Sequence, residues 1–286
     1  MYNEKLIEIS EIYKKFKDST FYKVNNVIFK IMDTNEEYVS WRLDYDIFWN
    51  WEKSKEFYDR MSKSKELPKT SCPSPEKFMK AYEGDEDVIV FNMSSKLSGT
   101  YSAALLAKNI ILEEDSNKKI AVIDTETGSI SQGQLIIKAA KLVEEGKTFE
   151  EIVDYIENIK KDRCFYGSLE TLENAIKGGR INPLAGKLIN ALNMKVIIKI
   201  SDGVVKPIDS ARGTNNSIKK LANKINSMVD EKHKSLAIAH SNCLEKAEKL
   251  RDLILKENQF EDVMIYEIGA IMGTYASSGG LLVSVL

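Results

Sequence analysis

The stretch that decides the fold is DVIVFNMSSKLSGTYSAALLAKN, residues 87–109. Its first part, Val88–Met93, is an almost continuous apolar run, which is typical of a strand buried on both faces of a parallel sheet. The polar residues Ser94–Gly99 end that run. From Thr100 onward apolar residues recur at helical spacing, so the loop leads into a helix N-terminus. Such an end attracts anions, because its first amides lack intrahelical partners and the helix dipole adds positive charge.

The same order of strand, polar loop and helix recurs in KKIAVIDTETGSISQGQLIIKAAKLVEEG, residues 118–146. Here Ile120–Ile123 predict a strand, Asp124–Gln132 a loop, and the following apolar positions a helix that ends at Glu145. Two such units in succession predict a doubly wound sheet whose ligand-binding edge lies at the carboxyl ends of the strands.

The domain boundary is predicted shortly after the next helix, which Thr148 and Glu151 open as a capping box. Strands and helices alternate beyond that helix as well. We therefore expect two α/β domains. Residues 1–161 form an N-terminal domain with a mostly parallel sheet flanked by helices, and residues 162–286 form a C-terminal α/β domain.

In the second half, Met194–Ser201 and Val204–Ser210 are predicted to pair as a hairpin across Asp202-Gly203, a sequence that tolerates positive φ at both positions. Gly178 and Gly179 indicate the end of a helix. The other predicted elements are the strands Arg163–Leu169, Leu236–Ala239 and Val263–Ile268, the helices Leu184–Leu192, Thr214–Val229 with Thr214 as its cap, and Glu245–Lys256, and a glycine-rich loop before a last strand.

The first 66 residues predict a helix over 6–16, a strand over Val24–Ile31 and a helix ending near Met61. Between them lies an aromatic cluster with two interpretations: a partner surface or lid over an apolar ligand, or packing at the small end of a domain. The cluster comprises Trp41, Tyr45, Phe48, Trp49, Trp51, Phe57 and Tyr58.

A stiff proline-rich loop follows, because Pro68, Pro73 and Pro75 fix their own φ and favour extended conformations before them. Ser74 is predicted to cap the next helix, which runs to Tyr82. Thr70 and Ser71 thus stand on a rigid segment. Their hydroxyls either face a ligand or serve only the turn.

Composition excludes several classes of protein. The 286 residues carry a net charge of −2, with 43% hydrophobic and 29% charged residues, so nucleic acid is not an expected partner. No apolar run spans a membrane and no secretory signal is visible, so we expect a cytoplasmic protein without an integral membrane segment. The three cysteines, Cys72, Cys164 and Cys243, form no CxxC pair, which favours free buried thiols over a disulfide or a metal site.

Catalytic motifs are weak. Ser98, His240 and Asp124 contain the groups of a serine triad, but the sequence has no G-x-S-x-G elbow. It also lacks GxxxxGK[ST] and GxGxxG, so no motif indicates a nucleotide cofactor. A metal site would have to combine His240 and Cys243 with distant carboxylates, without a spacing signature. An anion site built from hydroxyls and helix-end amides, with a few arginines near it, is the remaining interpretation. Arg180 is a candidate anion contact.

Several motifs together resemble the DegV family of bacterial fatty-acid-binding proteins. They are Thr70-Ser71-Cys72-Pro73, the loop SSKLSGTY at 94–101, Gly178-Gly179-Arg180, the hairpin IIKISDG and the late GAIMGTYASSGG. The set occurs in order across residues 65–286. Each motif is weak singly, and the ordered set is fairly specific.

The resemblance implies an acyl chain between the two domains, with its carboxyl group held by Thr70 and Ser98. It also implies a role as the lipid-carrying subunit of an ATP-dependent fatty acid kinase, without catalytic activity, metal or cofactor of its own. The ligand-binding residues expected on this basis are Thr70, Ser71, Ser98, Gly99, Thr100, Arg180, His240 and Tyr275.

Three positions depart from the family pattern. The family's opening T-D-S-T-type loop has no clear counterpart, since Asp18-Ser19-Thr20 lacks a strand before it. Cys72 replaces a glutamine, and Tyr275 replaces a histidine of the late G-x-H-x-G-P-G segment. A phenol donates a hydrogen bond but cannot supply imidazolium charge. Two alternatives therefore stay open: an enzyme that uses Ser98 or a phosphorylated substrate at the same helix N-terminus, and a diverged paralogue that binds another amphiphile or a protein.

Overall fold

The computed structural model describes residues 54–183 and 193–286, together with four short strands at 22–24, 27–29, 39–41 and 45–47. The chain divides into two compact units. The first comprises Met1–Thr34, Cys72–Gly128 and Gln132–Asp162, and the second comprises Asn35–Ser71, Ser129–Ser131 and Arg163–Leu286. The sequence predicts that all of residues 1–161 belong to the first domain. In the structure, two segments of that range, Asn35–Ser71 and Ser129–Ser131, cluster with the second unit.

The four short strands form two antiparallel pairs. Strands β1 (Tyr22–Val24) and β2 (Val27–Phe29) make one pair, and β3 (Val39–Trp41) and β4 (Tyr45–Ile47) the other. The prediction of one strand over Val24–Ile31 is therefore wrong, because two paired strands share that region. The predicted helix over 6–16, the segment Asp18-Ser19-Thr20 and the predicted helix Leu184–Leu192 lie outside the described residues.

The first unit contains the strand, loop and helix order on which the sequence analysis rests. Strands β5 (Val88–Asn92) and β6 (Ile120–Asp124) pair in parallel, with Val88 opposite Ile120. The helix α3 (Thr100–Glu114) connects them, as the apolar runs and the intervening loop predict. The remaining helices along this part of the chain are α2 (Pro75–Tyr82), α4 (Ser129–Glu144) and α5 (Phe149–Ile159).

Helix starts in this unit show two outcomes for the predicted caps. The capping box before α5 is confirmed, since Glu151 N–H donates to Thr148 Oγ1 at 3.2 Å and Thr148 N–H donates to the Glu151 carboxylate at 2.9 Å. Ser74 stands at the N-cap of α2, as predicted, but its side chain makes no capping hydrogen bond. The Ser74 hydroxyl instead lowers the pKa of the Glu76 carboxyl by hydrogen bonding to it.

The second unit is built on a six-stranded mixed sheet. Its spatial order is β11 (Asp262–Glu267), β10 (Ser235–His240), β12 (Leu281–Val285), β7 (Cys164–Leu169), β8 (Met194–Ser201) and β9 (Val204–Arg212). Only β10 and β11 pair in parallel, and every other neighbouring pair in this sheet is antiparallel. Within the described part of the unit, the helices are α1 (Ser54–Lys63), α6 (Glu173–Lys177), α7 (Thr214–Asn226), α8 (Leu244–Leu255) and α9 (Ala270–Ala276).

The predicted hairpin is confirmed. Asp202 and Gly203 adopt φ of 55° and 76°, so both central turn residues occupy the left-handed region that a tight hairpin of this twist needs. Strand β9 continues two residues beyond the predicted end at Ser210. A register shift beside Ile197 accommodates one extra residue in β9.

The core of the second unit lies between the sheet and its covering helices. Strands β7 and β12 are buried along their full lengths. Helices α7 and α8 present apolar faces to this core, because their buried residues recur at helical spacing. These residues are Ile218, Leu221, Ala222 and Ile225 on α7 and Ala247, Leu250 and Ile254 on α8.

Two helix predictions in this unit are wrong. Gly213, at φ 78°, is the N-cap of α7, so Thr214 is its first helical residue. The segment before the last strand is helix α9, where the sequence predicted a glycine-rich loop. Glycine lowers helix propensity, but Gly273 leaves room for Tyr58, whose hydroxyl would lie 2.3 Å from a Cβ at that position. Tertiary packing therefore overrides local propensity here.

Helix α1 explains why its segment clusters with the second unit. Phe57 and Tyr58 are 1% and 2% exposed and form a small core with Met61 and Ala270. Their rings pack edge to face, with centroids 5.3 Å apart. For these two residues the packing interpretation of the aromatic cluster holds. The other five side chains of that cluster lie outside the described part of the chain.

No helix among those described is long and apolar enough to cross a bilayer.

Candidate functional site

The loop 94–99 is anchored where β5 ends. Ser94, which is fully buried, donates its N–H to the carbonyl of Thr127 at 2.7 Å. The Ser94 carbonyl in turn accepts the N–H groups of Leu97 and Ser98 at 2.9 and 3.1 Å. The loop is therefore a closed turn fixed to the chain that follows β6.

Ser98, Gly99 and Thr100 come together at the start of α3, as predicted. The hydroxyl oxygens of Ser98 and Thr100 lie 2.7 Å apart, and Thr100 N–H donates to Ser98 Oγ at 3.2 Å. Gly99 is the N-cap of this 15-residue helix. Two hydroxyls thus stand at the positive end of a helix, which is a suitable place for the oxygens of an anion.

Asp124 and Lys160 support this edge of the first unit. The Asp124 carboxylate accepts the N–H groups of Ser95 at 3.3 Å and Glu126 at 2.9 Å. The buried Lys160 ammonium donates to the Asp124 carbonyl at 2.9 Å and pairs with Glu157 at 2.6 Å. From the sequence, Asp124 is predicted only as a triad acid, and Lys160 is not singled out. A lysine that follows the last turn of an amphipathic helix was the available signal.

Thr70, Arg180 and Tyr275 form a second group, within the second unit. The hydroxyl of Thr70 and the phenol of Tyr275 lie 2.6 Å apart. The Arg180 guanidinium carbon is 4.7 Å from the centroid of the Tyr275 ring, a cation–π contact. Arg180 Nη1 also donates to the carbonyl of Gly178 at 2.6 Å. The structure therefore brings three of the predicted residues together, although their motifs are far apart in sequence.

The two glycines after α6 have separate roles in this group. Gly179, at φ 74°, closes a Schellman turn. Its N–H donates to the Ile176 carbonyl, and the Arg180 N–H donates to the Ala175 carbonyl, both at 2.9 Å. This turn reverses the chain before Arg180. Gly178 provides space, because a Cβ there would lie 2.3 Å from Cε1 of Tyr275.

Ser71 and His240 are the other predicted site residues in the second unit. Ser71 is exposed beside Thr70. His240 is buried at the end of β10, and its Nδ1 accepts the N–H of Cys243 at 3.3 Å. Burial lowers the pKa of His240, while the carboxylates of Glu267 and Glu248 partly oppose this effect. Imidazole is therefore the favoured form at neutral pH.

The three cysteines are free, as predicted, but not all are buried. Cys164 is buried, Cys243 is intermediate and Cys72 is exposed, so the expectation of burial is wrong for Cys72. Cys72 lies on the proline-rich segment just before α2, and its sulfur is 3.5 Å from the position that a Cβ would occupy at Gly99. Burial raises the pKa of the Cys243 thiol to about 11. In the described ranges, no three His, Cys, Asp or Glu side chains are grouped to hold a metal ion.

Comparisons with known proteins show which family this chain is similar to. The model of the DegV family, described as an uncharacterised protein family, matches residues 45–286. A DegV domain-containing protein of Clostridium perfringens is 30% identical over 235 residues, which is 80% of each chain.

Solved structures extend the likeness to the fold. A DegV family protein of Ruminococcus gnavus, refined with vaccenic acid, matches with a TM-score of 0.78 at 31% identity, over 85% of this chain and 88% of that one. The fatty acid kinase (Fak) B3 protein of Streptococcus pneumoniae, loaded with linoleic acid, matches with a TM-score of 0.76 at 27% identity, over 81% and 83% of the two chains. From the family match and these relatives, the chain belongs to the DegV family.

Proposed function

We propose that this protein binds a long-chain fatty acid and carries it without transforming it. The observation that carries the proposal is the pair of hydroxyls on Ser98 and Thr100 at the N-terminus of α3, in a chain whose solved relatives hold vaccenic and linoleic acid. Thr70 supplies a third hydroxyl. We assign the carboxyl group of the ligand to Ser98 and Thr70, with the amides near Gly99 and Thr100 as further donors.

Hydroxyl and amide donors suit a fatty carboxylate. An anion that leaves water must be hydrogen-bonded, and each bond to a charged acceptor contributes about 1.5–3 kcal/mol. Oriented donors at a helix end supply this without a directly paired cation. Arg180, which is stacked on Tyr275 near Thr70, adds positive charge to the second group. Ser71 and His240 remain predicted neighbours of the ligand.

The hydrocarbon tail supplies most of the affinity in this proposal. Each buried CH₂ contributes about 0.8 kcal/mol, so a long chain offers roughly 10 kcal/mol before the cost of ordering the ligand and the side chains around it. The carboxyl site then selects among apolar chains by their head group. Chain length and saturation follow from the shape of the apolar site.

We further propose that the bound acid is the substrate of a separate ATP-dependent kinase. In that reaction a carboxylate oxygen attacks the γ-phosphorus of ATP, and ADP leaves as the acyl phosphate forms. The relative that is a fatty acid kinase B3 protein supports this partnership. Because Tyr275 stands where the family has a histidine, we expect fatty acid binding to persist while retention of the acyl phosphate is altered.

Native mass spectrometry of the purified protein tests the binding proposal. A mass increment equal to a C16–C18 fatty acid, released on denaturation and identified after extraction, is the expected result. The stripped protein should take up oleate or palmitate. Protein that carries no lipid and takes up neither acid would contradict the proposal. A different extracted amphiphile would favour the diverged paralogue.

The Ser98→Ala variant separates a carrier from a serine enzyme. In a carrier the substitution weakens ligand retention. In an enzyme it abolishes turnover of acyl esters and leaves binding largely intact. The carrier is favoured by the surroundings of Ser98, whose hydroxyl contacts the hydroxyl and amide of Thr100, since neither group is a general base.

A further inference from the structure

We infer that Tyr275 is a positioning residue for Thr70: its phenol donates to Thr70 Oγ1 and thereby directs the threonine proton to the head group of the ligand. The inference rests on the proposed binding of a fatty acid. The residue in the family's histidine position then acts through a second hydroxyl, whereas the family resemblance implies that it contacts the ligand directly.

The phenol of Tyr275 is the donor in its hydrogen bond with Thr70. The two oxygens are 2.6 Å apart, at the short end of the O–H···O range, and both side chains are partly buried. A phenol is a stronger hydrogen-bond donor than an aliphatic alcohol. When the phenol donates its hydrogen bond to Thr70 Oγ1, the threonine's own hydroxyl proton is free to bond another acceptor. A hydroxyl that accepts one bond donates a stronger one, because neighbouring hydrogen bonds polarise each other.

Arg180 and Gly178 hold the Tyr275 ring in place. Arg180 covers one face of the Tyr275 ring at 4.7 Å, and Gly178 lies against the ring edge at Cδ1 and Cε1. The guanidinium that covers the ring also donates to the Gly178 carbonyl at 2.6 Å. Gly178, Arg180 and Tyr275 therefore form one contact group that fixes the position of the phenol oxygen.

The hydrogen bond from Tyr275 affects which ligand Thr70 favours. Thr70 on its own rotates about χ1 and Cβ–Oγ1, whereas a bonded Thr70 presents one oriented donor. An oriented donor favours an acceptor that carries charge, since bonds to ionised groups are roughly twice as strong as neutral ones. The Thr70–Tyr275 pair should therefore discriminate a carboxylate from its methyl ester. General loss of packing would weaken both ligands alike.

The test is a double-mutant cycle with Thr70→Val and Tyr275→Phe, read as oleate and methyl oleate affinities of lipid-stripped protein. We expect Tyr275→Phe to weaken oleate binding by about 5- to 10-fold, and methyl oleate binding by less than about 3-fold. Thr70→Val should weaken oleate binding by about 10-fold, and the double variant no further. Tyr275→His, which keeps a donor, should restore at least half of the loss on a logarithmic scale.

A second variant reaches the same contact without touching either hydroxyl. Gly178 has φ −78°, which alanine adopts freely, and a Cβ there would lie 2.3 Å from the Tyr275 ring and 3.2 Å from the Asn174 carbonyl oxygen. Gly178→Ala therefore acts chiefly by displacing the Tyr275 ring. It should reproduce the ligand pattern of Tyr275→Phe. The matched control is Tyr155→Phe, an exposed tyrosine on α5, which should bind both ligands as the unaltered protein does.

The outcomes separate the two levels of the proposal. If the unaltered protein binds no fatty acid, the proposed function fails. If the unaltered protein binds oleate, and the Tyr275→Phe and Gly178→Ala variants bind it with the same affinity, the inference is wrong and the proposed function stands. The inference is also wrong if the effects of Thr70→Val and Tyr275→Phe multiply in the double variant, or if both ligands weaken equally.

Discussion

The hydroxyl of Thr70 and the phenol of Tyr275 lie 2.6 Å apart, although 205 positions separate them in sequence. Thr70 stands on the proline-rich segment before α2, and Tyr275 is on the last turn of α9. Both belong to the second unit, where the buried Tyr58 packs on Gly273, two residues before Tyr275 in α9. A local interpretation of either motif gives no indication of this contact.

Ser98→Ala should weaken oleate retention by about 5- to 10-fold, because one donor to the carboxylate is lost. Isothermal titration of lipid-stripped protein measures the effect. The matched control is Ser102→Ala, an exposed serine in the first turn of the same helix, which should leave affinity unchanged. Equal affinity of the Ser98→Ala variant and the unaltered protein would remove Ser98 from the carboxyl site.

Two helical glycines should respond to alanine with opposite signs. Gly133 in α4 has open space at its Cβ position, so Gly133→Ala should raise the free energy of unfolding by about 0.5–1 kcal/mol. Gly273→Ala should lower it by about 1–3 kcal/mol, because the new Cβ would collide with the Tyr58 hydroxyl. Urea denaturation followed by circular dichroism compares them. Stabilisation by Gly273→Ala would show that Tyr58 does not need that space.

The two predicted caps should differ in strength. Thr148→Ala removes an observed capping bond and should lower the free energy of unfolding by about 1 kcal/mol. Ser74→Ala should have a clearly smaller effect, because Ser74 makes no capping bond with its side chain. Thermal unfolding of both variants beside the unaltered protein measures the difference. A larger loss for Ser74→Ala would contradict the assignment.

Stability should fall in acid partly through Glu170. Burial raises the pKa of this carboxyl, but hydrogen bonds and charges from Lys195 and Lys246 outweigh it, so the net shift is downward. A lowered folded pKa means that the unfolded chain binds the proton first as the pH falls below about 5. The stabilising contribution is therefore present above that pH and is lost progressively below it.

Glu170→Gln tests this dependence. The variant should be less stable than the unaltered protein at pH 7, because two partly buried lysines lose their carboxylate. Its urea midpoint should then change less between pH 6 and pH 4. Glu114→Gln, at an exposed glutamate that ends α3, provides the control. An identical change in midpoint for the Glu170→Gln variant and the unaltered protein would rule out Glu170 as a contributor.

Features encoded by neighbouring residues could be predicted from the sequence. The apolar run at Val88, the capping box at Thr148 and the turn at Asp202-Gly203 each depend on a few consecutive side chains and their backbone preferences. The group at Ser98 and Thr100 belongs here too, because a strand, a short loop and a helix start determine its geometry. For the same reason Gly179 was correctly interpreted as a helix end.

Features that depend on packing between distant segments could not be predicted. Helix α9 contains Gly273, which local propensity disfavours, and Tyr58 on α1 occupies the space that this glycine leaves. Cys72 was expected to be buried and is exposed. Lys160 supports the carbonyl of Asp124 from 36 positions away.

The sequence by itself determined the α/β class, the helix start at Ser98 and the family resemblance, because short-range periodicity and turn chemistry encode them. Only the tertiary structure decided that Tyr275 meets Thr70, that Arg180 covers its ring and that Gly178 must lack a side chain. These relationships arise from side-chain volume and hydrogen bonding between segments that chain folding brings together, and no local pattern records which segments those are.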